Sequence, residues 1–109
     1  MASTFKNTTV RSVGTSTTAV GSVVPAGTEV TIIGLSLANI TASQVTATIA
    51  LSDGTNVTNM VKDVPIPSNA SLVAVGGDQK VVLVAGDRLV ITSDTASSVD
   101  VIMSFLEIT

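Results

Sequence analysis

The 109-residue chain contains no cysteine, histidine, tryptophan or tyrosine, and its aromatic side chains are those of Phe5 and Phe105. Histidine and cysteine are the usual sources of a group that titrates near neutral pH. The chain therefore lacks the residues that most often act in catalysis. The scarcity of aromatic rings removes the surfaces that stack on sugars or on single-stranded nucleic acid. We therefore expect no enzymatic activity, no catalytic residue and no lectin function.

Positive charge is also scarce, since five cations stand against eight acids and give a net charge of −3. Neutralisation of phosphates by Lys and Arg dominates nucleic-acid affinity, so we expect no nucleic-acid partner. No run approaches the roughly 20 apolar residues of a membrane-spanning helix, and residues 1–25 show no signal-peptide core. The sequence therefore predicts a protein without a membrane partner, made in the cytoplasm without a signal.

The acidic residues offer little for a metal or a cofactor, because most of them stand in turn-like sequence, where aspartate caps its own backbone. They are Asp53, Asp63, Asp78, Asp87 and Asp94. The segment GGDQ, Gly76–Gln79, could hold an anion or contribute a calcium ligand, but phosphate and calcium loops need longer patterns. We interpret this segment as a tight turn and expect no metal site and no cofactor.

What the chain does contain is 18 valines and 16 threonines. Both side chains are branched at Cβ and suit a pleated strand better than a helix. Ser43–Ser52 alternates with period two, with Val45, Ala47, Ile49 and Leu51 on one face. Strands and turn signals recur every eight to twelve residues, which predicts an all-β antiparallel sandwich or jelly roll of about seven or eight strands. We assign residues 24–109 to this domain.

Residues 1–23 form a polar segment that allows two interpretations. It is either a flexible arm, with GTSTTAVGS as a connector, or the first strand of the sandwich. Lys6 and Arg11 make it locally positive in an acidic protein. As an arm, it would dock on an acidic surface with Phe5 as an apolar anchor.

Apolar residues occur on both faces of the predicted strands Lys80–Ser93 and Val99–Ile108. A thin sandwich covers only one face of each strand, so the other face requires a partner. The sequence therefore predicts a homo-oligomer, with a trimer as the favoured closed form. The interface candidates are Phe5, Lys6, Arg11, Ile102, Phe105 and Leu106.

The C-terminal half, VKDVPIPSNASLVAVGGDQKVVLVAGDRLVITSDTASSVDVIMSFLEIT, carries a recognisable pattern. It resembles small virion proteins of tailed bacteriophages, frequent in phages of cyanobacteria and other marine bacteria. In those proteins a segment VGGDQKVVLxAGDxLxVxS is followed by a DVxxSxLEI ending. The earlier VPAGTEVTIIGLSLANIT is similar as well, so the resemblance runs from Val24 onward and leaves residues 1–23 unmatched.

The resemblance implies a structural component of the phage particle, made in the host cytoplasm and located in the virion. Its partner would be the major capsid protein or another virion protein. The motif is structural, so it leaves the position in the particle open. The first choice is a capsid decoration (cement) protein that stabilises the head, and the alternative is a tail, neck or fibre-base adaptor. A host-surface binding module is the alternative from another class.

Overall fold

The structure, a computed structural model, describes residues 3–76 and 80–109, and every regular element in them is a β-strand. The strands are β1 (Ser3–Val13), β2 (Thr18–Val20), β3 (Glu29–Asn39), β4 (Val45–Ser52), β5 (Val57–Ile66), β6 (Ser71–Val75), β7 (Val81–Leu83), β8 (Arg88–Ser93) and β9 (Val99–Ile108). All pairings between them are antiparallel. The predicted all-β antiparallel class is confirmed.

The strands form two sheets. Sheet A has the order β1-β9-β3-β6, and the short β7 also pairs with β3. Sheet B has the order β2-β8-β4-β5. The core between the sheets is aliphatic and takes residues from both of them. Its largest fully buried side chains include Ile32, Leu35, Leu37, Ile49, Ile66, Leu89 and Ile91. The architecture is therefore a β-sandwich.

Two predicted turns are present, and both use glycine with a positive φ. Gly54 (φ 95°) follows Asp53 in the β4–β5 hairpin, and Gly86 (φ 93°) lies between β7 and β8. The Val84 backbone N–H donates to Asp87 Oδ2 at 3.0 Å, which closes the second turn. This turn carries the chain from sheet A to sheet B, so the two apolar segments around it belong to opposite layers.

Strand β3 departs from simple alternation. The sequence places Val30 and Ile32 on one face and Leu35 and Leu37 on the other by strict period two. In the structure all four are buried, because the pairing with β9 shifts register between Ile32 and Gly34. A β-bulge of this kind inserts one residue and reverses the phase of the strand. One irregularity thus gives β3 a continuous inward row.

The N-terminal residues form strands of both sheets. Residues 3–13 pair with β9, and the GTSTTAVGS segment, expected to be a flexible connector, contains β2. That expectation was wrong, because Val20 inserts into the core and is 2% exposed. Val13 is equally buried, whereas most residues of Ser3–Ser12 are exposed. β2 is the strand that the sequence did not predict.

One buried polar side chain joins the ends of three strands. Asn39, at the end of β3, is 2% exposed. Its Nδ2 donates to the carbonyl oxygens of Ser43 (2.8 Å), Ile66 (2.9 Å) and Pro67 (3.1 Å). Its Oδ1 accepts hydrogen bonds from the Thr41 backbone N–H and hydroxyl. Asn39 therefore fixes β3 against the start of β4 and the end of β5.

The predicted turn at Gly76–Gln79 lies, from Gly77 onward, outside the described residues. In the described ranges, 3–76 and 80–109, no helix is long and apolar enough to cross a membrane.

Candidate interaction surface

The face of sheet A that points away from the core carries several exposed apolar side chains among serine, threonine and asparagine residues. Four of its side chains are at least half exposed: Phe5 (75%), Val73 (65%), Ile102 (54%) and Val82 (53%). Leu106 and Ile108 share this face and are partly exposed. We call the surface formed by Phe5, Val73, Val82, Ile102, Leu106 and Ile108 the sheet A outer face.

The register of the strands makes these side chains neighbours. Phe5 on β1 lies opposite Leu106 on β9, which in turn lies opposite Thr31 on β3, and Thr31 lies opposite Val82 on β7. Directly opposed residues of antiparallel strands point to the same face of the sheet. These side chains therefore form one transverse row across four strands.

A second transverse row runs parallel to the first. Ile102 on β9 lies between Thr9 on β1 and Ser36 on β3, and Ser36 lies opposite Val73 on β6. Its two apolar side chains, Ile102 and Val73, are thus separated by Ser36. Together the rows extend the apolar surface over the width of sheet A.

The outward face of sheet B has a different character. Its paired positions on β4 and β8 include Thr48 opposite Thr92 and Ser52 opposite Arg88. Together with Ala50, Val57 and Val90 they line a shallow groove of about 370 Å³. The outward face of sheet B is therefore mixed, and Val57 (62%) is its large apolar side chain that is at least half exposed, against four on sheet A.

The inward face of sheet A is incompletely covered at the end where β1 begins. There a groove of about 390 Å³ lies between the strands and the segment that follows β2. Met103 and Phe105 form part of its wall, and Lys6 Nζ bonds Glu107 Oε1 at 2.9 Å beside them. The groove is thus a small apolar recess whose two charged side chains neutralise each other.

The predicted interface residues separate into two groups. The structure places Phe5 directly opposite Leu106 on the sheet A outer face, and Ile102 lies on the same face four residues farther along β9. Phe105 has the opposite orientation and packs against the core, and Lys6 lies opposite it on the same inward side. Phe5, Ile102 and Leu106 therefore share one outward surface, and Lys6 and Phe105 are not part of it.

Arg11 stands apart from both groups. It is exposed at the point where the β1–β9 register shifts between Val10 and Val13. The next residue, Ser12, has φ 57°, and its backbone N–H donates to Asp100 Oδ1 at 2.9 Å. Arg11 therefore lies on an irregular part of β1, away from the regular apolar rows.

Val73 and Val82 are surface residues that the sequence did not single out. Their signal was present in the segments SLVAV and KVVLV, where apolar residues adjoin each other and must point to both faces of a strand. Strand periodicity shows that one face lies outside the core. The pairing with β3 is needed to place Val73 in the same row as Ile102 and Val82 in the same row as Leu106.

Asp53 and Asp87 cap turns, and no group of three or more acidic residues in the described part could hold a metal ion. Asp53 accepts hydrogen bonds from the backbone N–H groups of Asn56 (2.6 Å) and Thr55 (2.9 Å), and these bonds lower its pKa from 3.8. Asp94 accepts from the Thr46 backbone N–H at 3.0 Å, which lowers its pKa from 3.8 together with the Thr95 hydroxyl.

These caps predict an acid-sensitive stability. Because the pKa of Asp94 is lower in the folded than in the unfolded chain, its contribution is present above about pH 3.8 and is lost as the pH falls through the folded pKa. We expect Asp94→Asn to lower the melting temperature at neutral pH. The difference from wild type should narrow as the pH falls below about 3.8. Thermal melts by circular dichroism along a pH series check this, and a difference independent of pH would contradict it.

Comparisons with known proteins place this geometry beside solved structures. No protein-family model and no curated protein matches the chain. Two crystal structures, each described as a pentameric capsid protein isolated from metagenomic phage sequences, have a similar fold. One is 22% identical over 94% of this chain with a TM-score of 0.46, and the other is 20% identical over 94% with a TM-score of 0.42.

This chain spans 59% and 60% of the length of those two proteins.

Proposed function

We propose that the chain is a non-enzymatic structural component of a bacteriophage virion, and that it decorates the head as a homo-oligomer bound to the major capsid protein. The observation that carries this proposal is the sheet A outer face. Clusters of exposed large apolar side chains on one face of a protein often mark a site of association. Phe5, Val73, Val82 and Ile102, each at least half exposed on one face of a small β-sandwich, support an assembly role.

The resemblance of Val24 onward to small tailed-phage virion proteins supplies the context for that assembly. A decoration protein needs a stiff scaffold, an adhesive surface and no reaction chemistry. The chain has an antiparallel sandwich and an apolar outward face, and it contains neither histidine nor cysteine. The chain therefore has the three properties that a decoration protein needs.

Self-association through the sheet A outer face is part of the proposal, and a closed trimer is the first state to test. Closed symmetry covers an apolar face on every copy, whereas open association would continue without limit. Phe5, Ile102 and Leu106 are the proposed contacts. Phe105 contributes indirectly, because it packs against the core behind them.

The N-terminal residues were expected to bind an acidic surface through Lys6 and Arg11. In the structure the Lys6 charge is compensated by Glu107 at 2.9 Å. Contact with an acidic capsid surface therefore depends on Arg11, which is exposed. We propose Arg11 as the charged contact and Phe5 as the apolar one.

Copy number in purified phage particles tests the location. We expect a ratio to the major capsid protein near that of a component that covers the whole head, measured by quantitative mass spectrometry. A ratio that corresponds to only one or a few rings of this protein per particle would contradict head decoration and favour the tail, neck or fibre-base adaptor. Absence from the particles together with binding of the purified protein to host cells would overturn the virion assignment and favour a host-surface module.

A further inference from the structure

Strand β1 leaves one long edge of sheet A open. It is the terminal strand of the order β1-β9-β3-β6, and its ladder partner is β9. Residues Ser3–Val10 pair with β9 without a register shift, and all of them except Thr8 and Val10 are exposed. We call the unpaired side of Ser3–Val10 the β1 free edge. In the described part of the chain, no other segment donates a backbone hydrogen bond to it.

The other edge strands are short or interrupted. β5 contains Pro65, and its pairing with β4 shifts register twice. β2 and β7 have three residues each, and β6 has five with a shift in its pairing. Short length, proline and bulges are the features by which proteins prevent strands from adding to an exposed edge.

The β1 free edge has none of these protective features. Its sequence, STFKNTTV, contains no proline or glycine. It has one charged residue, Lys6, whose side chain is bound to Glu107 of its own sheet. In an antiparallel ladder every second residue directs its N–H and C=O groups to the open side, so a row of donors and acceptors faces water. The ligand that matches such a row is another extended strand.

We propose that β1 pairs antiparallel with β1 of a second copy of the chain, so that sheet A continues across a two-fold axis at Asn7. A two-fold contact uses the same surface on both copies and must therefore be self-complementary. β1 contains two cations and no acid, so its register must keep like charges from lying directly opposite each other.

The register centred on Asn7 meets this requirement. It places Thr4 opposite Val10, Phe5 opposite Thr9 and Lys6 opposite Thr8 of the other copy. A centre at Lys6 would put two ammonium groups directly opposite, and a centre nearer either end would shorten the regular pairing. The Asn7 register also keeps odd-numbered residues opposite odd-numbered ones, so the apolar outer face of each copy stays on the same side.

The pairing would bring the Phe5 and Leu106 positions of the two copies onto one continuous surface across the axis. It is separate from a contact made by the sheet A outer face, because it uses backbone groups at the edge. It also does not rest on the virion assignment, since it concerns the purified chain alone. The two contacts can therefore be tested independently.

A single introduced cysteine tests the register, since the chain has none of its own. In the proposed pair the two Asn7 Cα atoms lie about 4.5–5.5 Å apart, within disulfide range. The two Thr9 Cα atoms would be about 14 Å apart, beyond that range. We expect oxidised Asn7→Cys to give at least about tenfold more covalent dimer than Thr9→Cys on non-reducing gels. Asn59→Cys, an exposed position on the β5 edge, is the control for random collision.

Amide hydrogen exchange of the wild type supplies a second measurement. We expect alternate amides of Ser3–Val10 to exchange more slowly as protein concentration rises, with no such change on β5. A folded Asn7→Cys protein that forms no more dimer than the two controls would overturn the proposal, as would concentration-independent exchange on β1. The copy number in phage particles tests the virion role separately. The β1 pairing and the virion role can therefore each be contradicted without affecting the other.

Discussion

Asn39→Ala is expected to lower the free energy of unfolding by about 3 kcal/mol, and the melting temperature by roughly 12 °C. The substitution removes a side chain that is 2% exposed and that donates to three backbone carbonyl oxygens. Each buried polar group left without a partner costs about 1–3 kcal/mol. The penalty falls on β3, β4 and β5 together, because their ends meet at this residue.

Urea unfolding at a fixed protein concentration measures the effect of Asn39→Ala, since association would otherwise contribute to the apparent stability. Asn59→Ala is the matched control, because Asn59 is exposed on β5 and its loss should change the stability by less than about 0.5 kcal/mol. Thr41→Val should have an intermediate effect, because it removes one hydroxyl that bonds Asn39 Oδ1 at 2.8 Å. Equal free energies of unfolding for Asn39→Ala and Asn59→Ala would contradict the role of Asn39 in holding the ends of β3, β4 and β5 together.

Ile102→Asp is expected to abolish association through the sheet A outer face while leaving the chain folded and the proposed β1–β1 pair intact. Ile102 is 54% exposed in the monomer, so a carboxylate there remains hydrated until a partner covers it. Burial of an unpaired charge in an interface costs about 3 kcal/mol or more, which corresponds to at least a hundredfold weaker association. Light scattering over a range of micromolar concentrations measures the oligomer, and circular dichroism checks the fold.

Two further variants show whether the effect of Ile102→Asp belongs to the sheet A outer face. Val57→Asp introduces the same charge at a similarly exposed valine (62%) on sheet B, and it should leave the oligomer intact. Phe105→Asp should instead lower the stability of the fold, because Phe105 is partly buried against the core. Wild-type protein that is a monodisperse monomer at micromolar concentration would overturn the oligomer proposal as a whole.

Alternation of side chains was the most reliable guide from sequence to structure. Val45, Ala47 and Ile49 were expected on one face of a strand, and all three are buried on β4. The same reasoning indicated outward apolar residues on β9, where Ile102 is exposed between the buried Val101 and Met103. Period two depends only on local backbone geometry, so it can be recognised before the fold is known.

The same rule failed where a strand was irregular or short. The bulge of β3 near Ile33 reverses the phase of the strand, and the pattern of apolar residues alone does not distinguish a bulge from two apolar faces. β2 has three residues, too few to show a period, and its place depends on the burial of Val20. Phe5 and Phe105 were grouped as interface residues, yet they point to opposite sides of sheet A.

Composition and local pattern by themselves determined that this chain is all-β, that it has few groups capable of catalysis, and that some of its strands have two apolar faces. These properties follow from side-chain chemistry and from the two-residue repeat of an extended backbone, which need no knowledge of distant contacts. Only the tertiary structure decided which outward residues are neighbours, that Lys6 is neutralised by Glu107, and that β1 is an open edge. Strand order and register depend on pairings between residues as far apart as Ser3 and Ile108, and no local signal specifies them.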